Sequence, residues 1–301
     1  MRRASVLALV GILLLGGCGS GSQSTSGEET SSTTLDALAA RARTLAPLAA
    51  GTGDLAPGRV RFTFLVVASD GRTIERPRAT VWLAQGRDRV PFDRATARLE
   101  SVDATPQHGF EARSQYRAYL DVPAPGRYWL LARPDGARAA ALGEITVKAR
   151  TASPAVGAPA PRSETPTLVT TGGRLAPLTT APKPDRQLYR YSVAGSLREH
   201  VPFVVAFATP AFCVSRTCGP VVDVVSGVRR ELASGRVRFI HAEVYKGNDP
   251  TNGFNRWMKE WRLESEPWVF LVGADGRIAE KFEGAVSVRE LRAAVERHLT
   301  R

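Results

Sequence analysis

Cysteine is nearly absent from this 301-residue chain, which has three: Cys18, Cys213 and Cys218. Three cysteines exclude a disulfide-dense scaffold and a four-cysteine metal site. Lysine is scarce too. The 41 basic residues include only Lys148, Lys183, Lys246, Lys259 and Lys281, the rest being arginine. No run of five or more basic residues occurs and aromatics reach only 7%, so the net charge of +12 does not gather into a nucleic-acid-binding tract. No nucleic-acid partner is expected, only a weak general attraction to anionic surfaces. The apolar run from Val6 to Leu15 falls short of the ~20 residues that a spanning helix needs. What remains, 43% hydrophobic and 23% charged, is ordinary globular composition with room for about two domains.

Residues 1–18 read as a secretory signal: Arg2 and Arg3, then the short apolar core, then Leu15-Gly16-Gly17-Cys18. The last four residues resemble the lipobox of bacterial lipoproteins. That resemblance implies acylation of Cys18, removal of the preceding peptide and attachment to the outer face of the cell membrane. A Gly/Ser/Thr-rich stretch follows, and residues 19–58 are expected to form a flexible tether with one short helix. With Cys18 taken by lipid, Cys213 and Cys218 are left as a pair.

From residue 59 to 149 the texture is short alternating runs between turn signals. Val60, Phe62, Phe64 and Val66 alternate with Arg61 and Thr63, and Ser69-Asp70-Gly71 marks a turn. Further strand candidates are 79–84, 116–122, 128–132 and 142–147, which together predict an antiparallel β-sandwich. The stretch Pro123–Ala132 is similar to the closing hairpin of Ig-like extracellular modules. His108 stands alone, so no metal cluster is expected there. Residues 150–187, rich in Pro, Thr and Ala, read as an interdomain linker. Within them Val156-Gly-Ala-Pro-Ala-Pro161 resembles the leading segment of redoxin and TlpA-type proteins.

Residues 188–301 read as strand 203–208, a cysteine loop, a helix to about 233, strand 237–244, a helix around Phe254, Trp257, Met258 and Trp261, a hairpin of 268–272 with 278–282, and a last helix opened by Ser287-Val-Arg-Glu290 as a capping box. This order resembles the thioredoxin-like fold. Phe270–Ile278 resembles the redoxin hairpin, and Glu266-Pro267-Trp268 stands where that family carries a cis-proline beside its redox pair. The resemblance therefore implies an α/β domain with Cys213, Cys218 and Pro267 as catalytic residues, and Glu266, Trp268 and Arg216 as substrate-binding residues. No cofactor is expected.

The spacing is Cys-x4-Cys rather than Cys-x-x-Cys. Residues five apart on a helix have Cα atoms roughly 8–9 Å apart, beyond the ~7 Å that a disulfide usually spans. Pro220 suits the opening of a helix, which puts Cys213 in the loop ahead of it. A thiol at a helix N-terminus is favoured as thiolate, and Arg216 adds positive potential. The reading is thiol–disulfide exchange with exported proteins, through an unknown electron donor. Three alternatives stay open. Thr209-Pro-Ala-Phe-Cys213 is similar to the Q-type peroxiredoxin motif, although Pro210 and Ala206 depart from it. Sco-type copper delivery would use Cys213, Cys218 and His241. A non-catalytic binding protein is the third.

Overall fold

The computed structural model describes residues 33–102, 114–212, 218–232 and 235–300. Cys18, His108, Cys213 and Arg216 lie outside them, and of Cys218 only the backbone is described. Residues Thr33–Arg301 belong to one compact unit.

A short helix, α1 (Leu35–Ala39), is capped by the Thr34 hydroxyl, which accepts from the N–H of Ala37. Seven strands follow: β1 (Thr44–Ala50), β2 (Gly58–Val66), β3 (Arg78–Ala84), β4 (Asp93–Ser101), β5 (Ser114–Val122), β6 (Gly126–Pro134) and β7 (Ala139–Val147). They close into a barrel of order β1-β2-β5-β4-β3-β6-β7. The closing strand is β1. Its first half, Thr44–Pro47, pairs parallel with Ala139–Leu142 of β7; its second half, Leu48–Ala50, pairs antiparallel with Phe64–Val66 of β2. Pro47 has no N–H to donate, and it stands where the strand changes partners. Phe62, Phe64, Val66, Val81, Leu83, Tyr116, Leu120 and Leu130 fill the interior.

The C-terminal part is a four-stranded sheet of β8 (Phe203–Phe207), β9 (Arg238–Ala242), β10 (Trp268–Val272) and β11 (Ile278–Glu283), in the order β11-β10-β8-β9. β8 and β9 run parallel; β8–β10 and β10–β11 are antiparallel. α2 (Val193–Arg198) precedes β8, α3 (Cys218–Glu231) joins β8 to β9, α4 (Arg256–Glu260) precedes β10 and α5 (Val288–His298) ends the chain. Every residue of β8 is buried because both faces are covered. Val204 and Ala206 pack with Val221, Val225 and Leu291, while Phe203, Val205 and Phe207 pack with Met258, Trp261 and Phe270.

The expected α/β thioredoxin-like domain behind an Ig-like sandwich is thereby corrected. The described chain is mostly β, a closed seven-stranded barrel plus a four-stranded sheet with few helices. Two physical causes account for the difference. The Ala-rich segment around Pro47 carries no alternating apolar pattern, yet it supplies the strand that turns an open sheet into a barrel. The helical spacing in the C-terminal part also yields little helix: α2 and α4 have six and five residues. α4 is ended by Arg262 at φ 52°. Among the described residues no helix is long and apolar enough to cross a membrane.

Barrel and sheet are joined by polar contacts that use the outward residues of β2. Arg61 donates through Nε to Glu290 of α5 at 2.8 Å and through Nη2 to the carbonyl of Ala285 at 2.8 Å. Arg117 of β5 and Arg289 of α5 both bind Glu100 of β4, at 2.6 and 2.5 Å. The N–H groups of Gly53 and Asp54 donate to Glu283 Oε2 at 2.8 and 2.7 Å. Gly284 has φ +74°, and a Cβ there would lie 2.2 Å from the carbonyl oxygen of Gly51. Only glycine allows so close an approach of the two backbones.

Candidate functional site around the end of the central strand

β8 is a central strand whose carboxyl end leads through Ala208, Thr209, Pro210, Ala211 and Phe212 toward the cysteine pair. α3 begins at Cys218 and carries Pro220 in its first turn, so this thiol-bearing residue sits at the positive end of a 14-residue helix. In an open sheet the space beyond the strand ends beside such a crossover is where chemistry is usually placed.

β10 brings the neighbouring residues. Trp268 pairs with Phe207 at the end of the β8–β10 ladder, and Pro267 and Glu266 immediately precede it. The Glu266–Pro267 peptide is cis. The N–H of Thr209 donates to Glu266 Oε2 at 2.9 Å, and the Tyr245 hydroxyl donates to Oε1 at 3.2 Å. Burial raises the Glu266 carboxyl to about 7, against these two hydrogen bonds, and the nearby Glu243 adds to the rise. Trp268 points the other way: it is buried, stacked on Phe270 at 5.5 Å, with its indole N–H donating to Ser265 at 3.1 Å. Its side chain supports the strand from within the core and does not offer a surface to a substrate.

His241 on β9 lies beneath the same strand end. Its Nε2 is 3.0 Å from the carbonyl of Ala208 and its Nδ1 2.8 Å from the Tyr189 hydroxyl. Burial holds the ring's pKa below its ordinary value. A neutral ring carries one N–H and a carbonyl can only accept, so Nε2 holds the proton and Nδ1 accepts from Tyr189. Both nitrogens are engaged, and nothing in this arrangement frees His241 as a ligand. Among the described residues no group of three or more His, Cys, Asp or Glu is placed to hold a metal ion.

Two residues absent from the sequence reading complete the site. Glu243 is 3% exposed, and its Oε1 accepts from the N–H and hydroxyl of Thr180 at 2.5 and 2.7 Å. Its Oε2 has no hydrogen-bond partner among the described residues. Thr180 also accepts from the N–H of Ala211 at 3.1 Å, and its hydroxyl lies 3.5 Å from that of Thr209. The Pro-rich segment thus threads through the site. A signal for Glu243 was present: His241, Glu243 and Tyr245 recur at period two on the end of an apolar strand, which puts three polar groups on one side. Thr180 carries no such signal. Phe212, next to Cys213 in sequence, is 44% exposed.

No protein-family model matches the chain, and no curated protein matches it.

Proposed function

We propose that Cys213 and Cys218 perform thiol–disulfide exchange with exported proteins, Cys213 attacking and Cys218 resolving. The observation that supports this reading is that α3 begins at Cys218, on the crossover that leaves β8. Helix N–H groups and dipole favour a thiolate at Cys218, the nucleophilic form that its resolving attack on a Cys213 mixed disulfide requires. Pro267 has no N–H of its own and leaves a substrate backbone unopposed at that edge. A structural disulfide gains most when it closes a long loop, and a pair five residues apart closes a short one. Attachment outside the cell membrane through an acylated Cys18 belongs to the same proposal. It predicts membrane-fraction protein that becomes soluble on Cys18→Ala.

The test is a trap. The Cys218→Ser variant, incubated with exported proteins, is expected to accumulate mixed disulfides through Cys213 that a reductant releases. No adducts, with free Cys213 thiol confirmed by alkylation, would overturn the proposal.

A further inference from the structure

Along β3, β4 and β6 the residues Ala79, Val81, Leu83, Ala97, Leu130 and Ala132 belong to the barrel interior, so the alternate positions face outward. The register brings those outward residues together. Arg78 stands opposite Arg98, Thr80 opposite Thr96 and Trp82 opposite Arg94 of β4, and Thr80 is flanked on its other side by Arg133 of β6. Four arginines therefore surround two threonines on one stretch of barrel wall. Like charges directly opposite one another weaken a sheet, and the fold does not offset these. Among the described residues no side-chain hydrogen bond or ion pair engages Arg78, Arg94, Arg98 or Arg133. Glu100, outward on the same strand, is taken by Arg117 and Arg289. Asp93 accepts from the N–H of Asp121, and Asp135 is tied through its own N–H to the Arg78 carbonyl at 3.0 Å. These two acids border the patch without cancelling its four positive charges. Arg94 and Arg133 are also held in place, their guanidinium carbons 5.8 and 4.8 Å from the centroid of the Trp82 ring. Stacked on the indole, they keep their N–H groups for an outside acceptor.

The same face receives the chain from its N-terminal side. Leu35, Leu38 and Ala39 of α1 pack with Trp82, Ala84 and Leu131, which sets Thr34, the cap of that helix, beside the patch. In the attachment proposed above, residues 19–32 lead from an acylated Cys18 to this point. We propose that the outward face of β3, β4 and β6 is a docking surface for anionic phospholipid headgroups, with Arg78, Arg94, Arg98 and Arg133 as its phosphate contacts. The direction in which it faces a membrane rests on the attachment through Cys18. Guanidinium forks bind phosphate oxygens through paired N–H groups, and the Thr80 and Thr96 hydroxyls add donors between them. A broad barrel wall meets a bilayer without having to enclose a ligand.

The experiment measures co-sedimentation of the full chain carrying Cys18→Ala with phosphatidylglycerol vesicles and with phosphatidylcholine vesicles. The apolar run Val6–Leu15 is common to every variant, so changes in the ratio of the two partition coefficients read the charge removed. The parent protein is expected to favour phosphatidylglycerol, and less so as salt rises. An arginine at an anionic surface is worth roughly fivefold in partition, so Arg78→Gln with Arg98→Gln should lower the ratio about tenfold or more, and Arg94→Gln with Arg133→Gln likewise. Arg190→Gln with Arg236→Gln removes the same charge from exposed positions ahead of α2 and β9, and should change the ratio by less than about twofold. A control pair that lowers the ratio as much as the patch pairs would overturn the proposal, because net charge alone would then account for binding. A parent protein that does not distinguish the two lipids would overturn it as well. Should the Arg94 and Arg133 variant not fold, the Arg78 and Arg98 pair, which no side-chain bond among the described residues ties into the fold, decides alone. The vesicle arm needs neither acylation nor thiol chemistry. Loss of membrane attachment in cells while the ratio holds counts against Cys18, and an empty disulfide trap counts against exchange, neither of them against this surface.

Discussion

The backbone N–H of Thr209 and the side chain of Glu266 meet across the ends of two adjacent strands at 2.9 Å. This contact ties the stem of the cysteine loop to the residue before Pro267, and it places a partly buried carboxyl where thiol chemistry is proposed.

A carboxyl whose native pKa is raised makes stability depend on pH in a definite sense. Between the ordinary value of 4.5 and about 7, the native Glu266 holds a proton that the unfolded chain releases. Its contribution is therefore complete below about pH 4.5 and lost as pH rises through 7, on the order of 3 kcal/mol in all. His241 acts oppositely: with its native pKa depressed, its contribution is present above 6.5 and lost as pH falls below that. Urea titrations of Glu266→Gln at several pH values should retain only the His241 limb, rising to about pH 6.5 and then levelling. A decline above pH 6.5 as steep as in wild type would show that Glu266 is not its source.

Arg61 and Glu290 are each 12% exposed, and Arg117 lies 3.4 Å from the same carboxylate. Removing Glu290 leaves the largely buried Arg61 guanidinium without its anion, while Arg117 keeps Glu100. Glu290→Ala should cost about 3–5 kcal/mol in denaturant unfolding, whereas Arg61→Met with Glu290→Leu should cost less than the sum of the single changes. Additive losses would mean the two side chains act independently.

Gly284 is where the turn after β11 touches the barrel. A Cβ there meets backbone, not a flexible side chain, and φ is +74°. Gly284→Ala should destabilise the protein by about 2 kcal/mol or more, and limited proteolysis should show faster cleavage between residues 148 and 187. A thermal midpoint within a degree of wild type would contradict the close approach.

Thr180 supplies two hydrogen bonds to one oxygen of Glu243. Thr180→Val keeps the shape and the backbone donor but deletes the hydroxyl, and the loss expected is about 1.5–3 kcal/mol for a bond to a charged acceptor. Because Thr180 also holds the N–H of Ala211, the same variant should alkylate faster at Cys213. An unchanged alkylation rate would remove Thr180 from the site.

Single elements were more legible in the sequence than their assembly. Phe203–Phe207 forms the expected buried strand, because β-branched and aromatic residues with both faces covered leave an unbroken apolar run. The Ser287 cap is present, its hydroxyl accepting from Glu290 N–H at 3.1 Å. The Glu290 side chain does not complete the capping box, since Arg61 and Arg117 claim it. β4 went unread because its inward residues include Ala95 and Ala97, too small to set an alternating pattern. Barrel closure through β1 depends on pairing with residues some ninety positions away, which no local pattern encodes. Of the site, His241 stood out as a lone histidine on an apolar strand, and Glu266 only by its place before Pro267. Thr180 did not, because a threonine among prolines carries no mark of the carboxylate it will meet.

The central claim is that the cysteine pair exchanges electrons with partners, and the reduction potential of the Cys213–Cys218 couple tests it most directly. Equilibration in defined glutathione or dithiothreitol buffers, read by alkylation and mass, should give a value well above about −300 mV. A value below about −300 mV would mark the bond as a structural disulfide and contradict the proposed function.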